Sequence, residues 1–222
     1  MNKLTPTTRS RVKRRQERGA YDFDTIASIL DAGLLCHVGY IIDGHPYVTP
    51  TAYWREGDHV YWHGSSASRM LRTLGKGVDA CFTVSHLDGL VLARSGFNHS
   101  INYRSVMLFG RAHEIEDDGA KLQALQNFVD RMFPGRWQQL RPVKTQEIRA
   151  TTVLRMAIEE GSAKVRTGGP HDDKDDYGWP VWAGVVPVQA VMQQPLPDER
   201  LVSAKEPPDY LADLSHLGLE TK

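Results

Sequence analysis

The stretch Trp62-His63-Gly64-Ser65-Ser66-Ala67-Ser68-Arg69 holds the densest set of ligand-binding side chains in the 222-residue chain. Its pattern predicts a strand that runs into a Gly/Ser turn and then opens a helix with an arginine in its first turn. A phosphate ester needs this combination: backbone N–H groups, hydroxyl donors, a fixed cation and the positive end of a helix dipole. Ser66, Ser68 and Arg69 can supply the side-chain donors. Serines before a helix also act as plain caps, and the residues alone leave both roles open.

A second stretch, His45-Pro46-Tyr47-Val48-Thr49-Pro50-Thr51, reads as a strand that cannot be fully paired, because Pro50 has no N–H. Such an edge or bulge can offer amides and the Thr49 and Thr51 hydroxyls to a planar ring, or be an ordinary edge. Asn102–Arg111 reads as a strand that is polar at its start and apolar later. In Trp179-Pro180-Val181-Trp182-Ala183-Gly184, a tryptophan beside glycine can cover a flat ring or belong to a core.

Histidines and cysteines give weaker signals. His59 and His63 share a strand face but have no evident third partner, so no metal site is assigned. His37 sits in an apolar run and reads as a core histidine. Cys36 and Cys81 lie in apolar runs without a C-x-x-C, which predicts reduced thiols.

The elements that position these residues follow from periodicity and turns. Residues 1–20 are polar and basic and read as an extended arm. Asp24 is taken as the cap of a helix to about Ala32. Strands are expected at Leu34–Ile42, Tyr47–Trp54 and His59–His63, separated by Asp43-Gly44 and Glu56-Gly57-Asp58. A short helix at Ala67–Leu74 follows. Val78–Ser85 and Leu90–Ser95 read as a strand pair around Asp88-Gly89. A long strand spans Tyr103–His113, an amphipathic helix Asp118–Phe133, a short helix Thr145–Arg149 and a strand Thr152–Glu159. Gly168–Gly178 reads as a mobile loop, and residues 196–222 as a tail. Short strands with inserted helices indicate a mainly β chain, an antiparallel barrel, and not a doubly wound sheet.

Charge is balanced, with 27 basic and 27 acidic residues, which gives no global pull toward nucleic acid or an anionic membrane. The arm Arg9, Arg11, Lys13, Arg14, Arg15, Arg18 lacks interleaved aromatics and reads as a solvated or subunit-clasping segment. No apolar stretch approaches a membrane span and no secretory h-region follows the basic start, so a cytoplasmic location is expected.

In order and spacing, several motifs together resemble the pyridoxamine 5′-phosphate oxidase-like, FMN-binding split-barrel family, in its nitroimidazole-resistance-type branch. They are Tyr21-Asp22, Gly44–Pro50, Tyr61–Ser65, Tyr103–Val106 with Gly110-Arg111, and Val181–Pro187. The resemblance covers roughly residues 20–195. It implies an antiparallel split β-barrel over 21–195, FMN as cofactor and a homodimer. Val48, Thr49, Pro50 and Thr51 would line the flavin ring. His63 would lie beside its ribityl chain or phosphate, Ser68 and Arg69 would hold the phosphate, and Trp62 and Ser66 count among the cofactor-binding residues. Ser105 and Trp182 would reach the flavin from the partner subunit. The chain departs from the oxidases at Met70, where they often carry a second cation, and in lacking their substrate-phosphate Arg/His set. Pyridoxamine phosphate is therefore not the expected substrate. The resemblance implies an FMN-dependent oxidoreductase with no assigned catalytic residue. Its alternatives are a non-catalytic flavin- or haem-binding protein and a deazaflavin-dependent reductase.

Overall fold

The computed structural model describes residues 3–202, 206–217 and 220–221. After a 3-10 turn come β1 (Gly19–Ala20), α1 (Phe23–Asp31), β2 (Leu35–Ile42), β3 (His45–Glu56), β4 (His59–Ser65), α2 (Arg69–Leu74) and β5 (Asp79–Leu92). They are followed by β6 (Ser100–Arg111), β7 (His113–Glu114), α3 (Asp118–Met132), α4 (Thr145–Arg149), β8 (Thr151–Ala157) and β9 (Glu160–Arg166). Past a long loop lie β10 (Gly184–Pro187), β11 (Val191–Met192) and β12 (Glu220–Thr221).

One curled antiparallel sheet runs β1-β9-β6-β5-β2-β3-β4-β8-β7, with β10 added to β5. The fold is a split barrel: neighbours along the chain pair through tight turns, and the long strands β3, β5 and β6 bend around the core. Asp43 and Gly44 both take positive φ, +50° and +78°, the twist that a two-residue hairpin turn between β2 and β3 requires. Strand alternation sends Cys36, Val38, Tyr53, Trp62, Phe82, Val84, Val106 and Leu108 inward. α1 closes one side of this core with Ile26, Ile29 and Leu30, and α2 adds Met70, Leu71 and Leu74. α3 packs on the opposite face of the sheet, over Trp54 and Val153.

Several expectations are corrected. The first helix is capped by Asp22, whose side chain accepts from the Thr25 amide at 2.8 Å, and not by Asp24, which lies inside the first turn. Asp88-Gly89 is not a hairpin turn but a bulge in the continuous strand β5. Asp88 is held by Arg104 across the pair, and Gly89 lies against Val185 and Val186 of β10, where a Cβ would come within 3.1 Å. β9 escaped sequence reading, since Gly161, Ser162 and Lys164 break its apolar pattern. The loop after Arg166 is pinned rather than free. Arg166 donates to the Asn102 side chain and to the carbonyl of Gly169, while Asp172 accepts from the Arg94 amide and guanidinium at 3.0 Å each.

The start of the basic arm is docked on the barrel, while Arg11, Lys13, Arg14 and Arg15 are exposed. Arg9 pairs with Glu160 at 2.7 Å and lies over the Phe109 ring, and the Val12 amide donates to the Tyr21 hydroxyl at 2.8 Å. The described part of the C-terminal tail also packs down. Leu214 and Leu217 are buried, and His216 Nε2 donates to the carbonyl of Arg131 at 2.9 Å. No helix among the described residues is long and apolar enough to cross a membrane.

Candidate functional site

The alternation that buries one face of β2 and β3 leaves the other face open. Leu35, His37, Gly39 and Ile41 on β2 stand opposite Ala52, Pro50, Val48 and Pro46 on β3. Thr83 and Cys81 of β5 lie on the far side of His37 and Gly39, with Met107 and Phe109 of β6 beyond them. Val48 is 67% exposed, and Leu35, Ile41 and Met107 are exposed as well. An open apolar surface of this extent on a globular chain marks a ligand or subunit contact.

His37 is the main correction to the sequence reading. It is not a core histidine. It falls in the outward register between buried Cys36 and buried Val38, and its ring makes no hydrogen bond among the described residues. The period of two was legible in the sequence, but the strand is apolar on both faces, so the pattern alone did not say which face was covered.

The expectation of an edge at Pro50 holds. β3 pairs with β2 over His45–Ala52, but with β4 only over Tyr53–Glu56. Residues 46–52 therefore keep one free edge, and Pro46 and Pro50 sit where a missing N–H costs no ladder bond on that side. Thr49 and Thr51 point away from the open face. The Thr49 hydroxyl bonds the Tyr40 hydroxyl at 2.9 Å, and Thr51 is half-buried. Of the four β3 residues proposed to line a ring, the open face carries Val48 and Pro50.

On β4, Trp62 turns inward. It is 0% exposed, packs on Phe82 and belongs to the core, so its indole cannot contact a surface ligand in this arrangement. His63 follows on the outer side, one step past the last β3–β4 pair. Its ring sits between Trp54 and Phe128, with centroids 5.9 and 4.7 Å away, and its buried Nδ1 has no partner. This burial holds its pKa below the ordinary imidazole value.

The turn into α2 spends most of its donors internally. The Ser66 amide donates to Ala150, the Ser68 amide to the Ser65 carbonyl and the Ala67 amide to the Ser65 hydroxyl. Ser68 caps Leu71 through its hydroxyl at 3.5 Å. The exposed Ser66 hydroxyl and Arg69 remain. The Arg69 guanidinium lies over the Tyr47 ring, 4.5 Å from its centroid, with no ion pair among the described residues.

Ser105 faces the open side of β6 and donates to the Lys164 carbonyl at 3.3 Å. Trp182 is 64% exposed and lies on Gly184, where a Cβ would meet the ring at 2.9 Å. β10 places Gly184 opposite Leu92, whereas His37 pairs with Thr83. Nine residues of strand span about 30 Å, so Trp182 is remote from the Pro50 region of its own chain. Cys36 and Cys81 are free thiols, and burial pushes Cys36 up to about 12. No cluster of histidines, cysteines and carboxylates suited to a metal ion occurs among the described residues.

Two adjoining clefts border the open face. One, of about 240 Å³, is lined by Ala32, Gly33, Leu34, Leu35, His37, Ser85, His86 and Leu217. The other, of about 640 Å³, shares Ala32, Ser85 and His86 and is roofed by Pro187–Ala190.

These features define the class by fold: a split β-barrel with an open, partly apolar sheet face and an arginine that has no ion pair among the described residues. The pyridoxamine 5′-phosphate oxidase family model matches residues 22–165, and the chain belongs to that family. It is 50% identical to the flavocytochrome from Azotobacter vinelandii, covering 94% of this chain and 97% of that one, with a TM-score of 0.90. It is 35% identical to the FAD and haem binding protein from Mycobacterium smegmatis, covering 89% and 97%, with a TM-score of 0.85. A 5-nitroimidazole antibiotic resistance protein from Bacteroides thetaiotaomicron shares the fold at 24% identity over 66% of this chain and 86% of that one, with a TM-score of 0.56. No curated protein matches the sequence.

Proposed function

We propose that the chain is a homodimeric flavin-dependent oxidoreductase that also carries a haem. The observation that carries this reading is similarity across the whole chain, 50% identity over 94% of its length, to a protein described as a flavocytochrome. The chain's own residues fit a flavin. Val48 and Pro50 offer a flat apolar surface beside an unpaired strand edge, and across that edge, on the face that carries Tyr47, Thr49 and Thr51, Ser66 and Arg69 offer a hydroxyl and a cation to phosphate. The flavin, when bound, would supply hydride and one-electron chemistry, and the haem one-electron chemistry. His63 is held neutral by burial at physiological pH and can accept a hydrogen bond without adding charge.

The resemblance implied FMN, whereas the 35% identical relative is an FAD protein, which favours the dinucleotide. A second copy of the chain is the occupant that the open face fits. It would cover Leu35, Ile41, Val48 and Met107, and it would bring Ser105 and the remote Trp182 toward the flavin. The test is the absorption spectrum of the purified protein with mass analysis of the released ligands. A flavin and a haem are expected, on a particle of twice 25.0 kDa. A colourless protein that takes up neither added flavin nor haemin would overturn the reading. Bound cofactors without turnover of any donor and acceptor would remove the oxidoreductase part of it.

A further inference from the structure

We infer that the basic arm is a docking surface for a small acidic one-electron carrier protein, the donor that reduces the flavin; the inference rests on the flavin half of the proposed function. Residues 9–21 hold Arg9, Arg11, Lys13, Arg14, Arg15 and Arg18 against a single acid, Glu17, in a chain whose formal net charge is zero. On a loose segment such a run is a solvated tail. Here the segment is held at both ends. The Arg11 amide donates to the Thr7 carbonyl at 3.1 Å, and the Val12 amide to the Tyr21 hydroxyl at 2.8 Å. Val12 lies against Gly19, where a Cβ would meet it at 3.1 Å, and Gly19–Ala20 closes the segment by pairing with β9. Of the cations, Arg9 is committed to Glu160, and Arg18 lies 3.9 Å from Glu17. Arg11, Lys13, Arg14 and Arg15 stay exposed and form no ion pair among the described residues.

The barrel adds to this charge. Lys164 stands opposite Gly19 on β9 and has no ion pair among the described residues. Arg166 is 5% exposed, yet its acceptors are the Asn102 side chain and the carbonyls of Gly168 and Gly169, all neutral, and its buried Nε has no partner. Burial, and after it the nearby Arg18, lowers its pKa. A cation buried without a counter-charge is poorly screened, so its field adds to that of the arm. The patch also lies close to the expected flavin. Gly19, Lys164 and Ser105 are in register across β1, β9 and β6. That puts the root of the arm about 10 Å from the serine that would reach the flavin. The chemistry of the patch selects its partner. No aromatic residue precedes Tyr21 in the chain, so the arm offers no stacking platform for bases. Val12 is committed to Gly19, so no apolar face is left to enter a bilayer. An acidic protein surface needs neither, and a patch of this kind steers it from a distance. Two dockings, each oxidising one reduced carrier by one electron, reduce the flavin by two, with protons drawn from water.

The test uses the full-length protein and, as carrier, an acidic plant-type [2Fe–2S] ferredoxin. Calorimetry gives the Kd for wild type, for the arm variant Arg11→Gln/Lys13→Gln/Arg14→Gln, and for a control, Lys76→Gln/Lys174→Gln/Arg200→Gln, that removes the same charge elsewhere. All six side chains are exposed, so circular dichroism and flavin content should match wild type. Wild type is expected to bind, and to bind more weakly as salt rises from about 0.02 to 0.3 M. The arm variant should lose about 10-fold in affinity at low salt, the scale of three exposed charge contacts. The rate at which reduced ferredoxin bleaches the flavin should fall by the same factor, while bleaching by dithionite is unchanged. The control should stay within about twofold of wild type. An arm variant that binds like the control, or a wild type that does not bind at low salt, overturns the docking surface and leaves the flavin reading intact. So does an arm variant that falls from dimer to monomer in sedimentation, which makes the segment a subunit clasp. So does a wild type that holds a DNA duplex through the same residues more tightly than it holds the ferredoxin. A protein that takes up no flavin removes the flavin reading and the donor role with it, and its absorption spectrum shows this before any carrier is added.

Discussion

Arg69→Ala probes the anchoring end of the proposed flavin site without disturbing the core. The guanidinium is exposed, rests on the Tyr47 ring and has no carboxylate partner among the described residues. Truncation therefore leaves no buried charge unpaired. Its structural cost is the lost stacking, about 0.5–1 kcal/mol for an exposed cation–π pair. Its cost to flavin binding is a charge-assisted contact to phosphate, about 1.5–3 kcal/mol, or a roughly 10- to 150-fold rise in Kd. The two effects separate by assay. Flavin fluorescence quenching on apoprotein reads affinity, and urea unfolding of the same apoprotein reads stability. Arg69→Lys keeps the charge but loses the planar fork, and should fall between wild type and alanine. An alanine variant whose flavin Kd stays within threefold of wild type would show that the phosphate is held elsewhere. The α2 turn would then be only a capped helix start, as the Ser68–Leu71 bond by itself already makes it.

Two further outcomes follow from the packing. Gly161→Ala places a Cβ 2.6 Å from Leu108 Cδ2 and 2.7 Å from the Met107 carbonyl. The β6–β9 pair must then spread, and a loss of about 1–3 kcal/mol is expected in urea melts; a change under 0.5 kcal/mol would show that β9 does not sit this close. For His63, burial lowers the folded pKa below the unfolded value of 6.5. The unfolded state therefore binds more protons, and this contribution to stability is full above pH 6.5 and lost as the pH falls toward the folded pKa. His63→Gln should flatten that part of the stability–pH curve, and an NMR titration midpoint for His63 at or above 6.5 would contradict the burial argument.

Apart from β9 and the continuity of β5, the order of the main elements was legible in the chain because local chemistry fixes where it turns. Asp43-Gly44 marks a turn, and Pro50 denies one side of β3 a partner. The free thiols and the arginine at the start of α2 were equally readable. Val48, Thr49, Pro50 and Thr51 were all expected at a ring, and only the fold put Val48 and Pro50 on the open face and Thr49 and Thr51 on the other. What the sequence left undecided was which side of an alternating strand would be covered. β2 is apolar on both faces, so Cys36 and His37 look alike in a linear reading, and only the helices packed against one face made the first a core thiol and the second an exposed imidazole. The same holds for Trp62 and His63, adjacent residues that the barrel sends to opposite sides. Asp88-Gly89 carries a turn's composition, yet pairing with β6 and β10 on either side made it a bulge within one continuous strand. Local preference sets where a chain bends and which residues alternate. The inside and the outside are assigned only when distant elements compete to cover the same apolar surface.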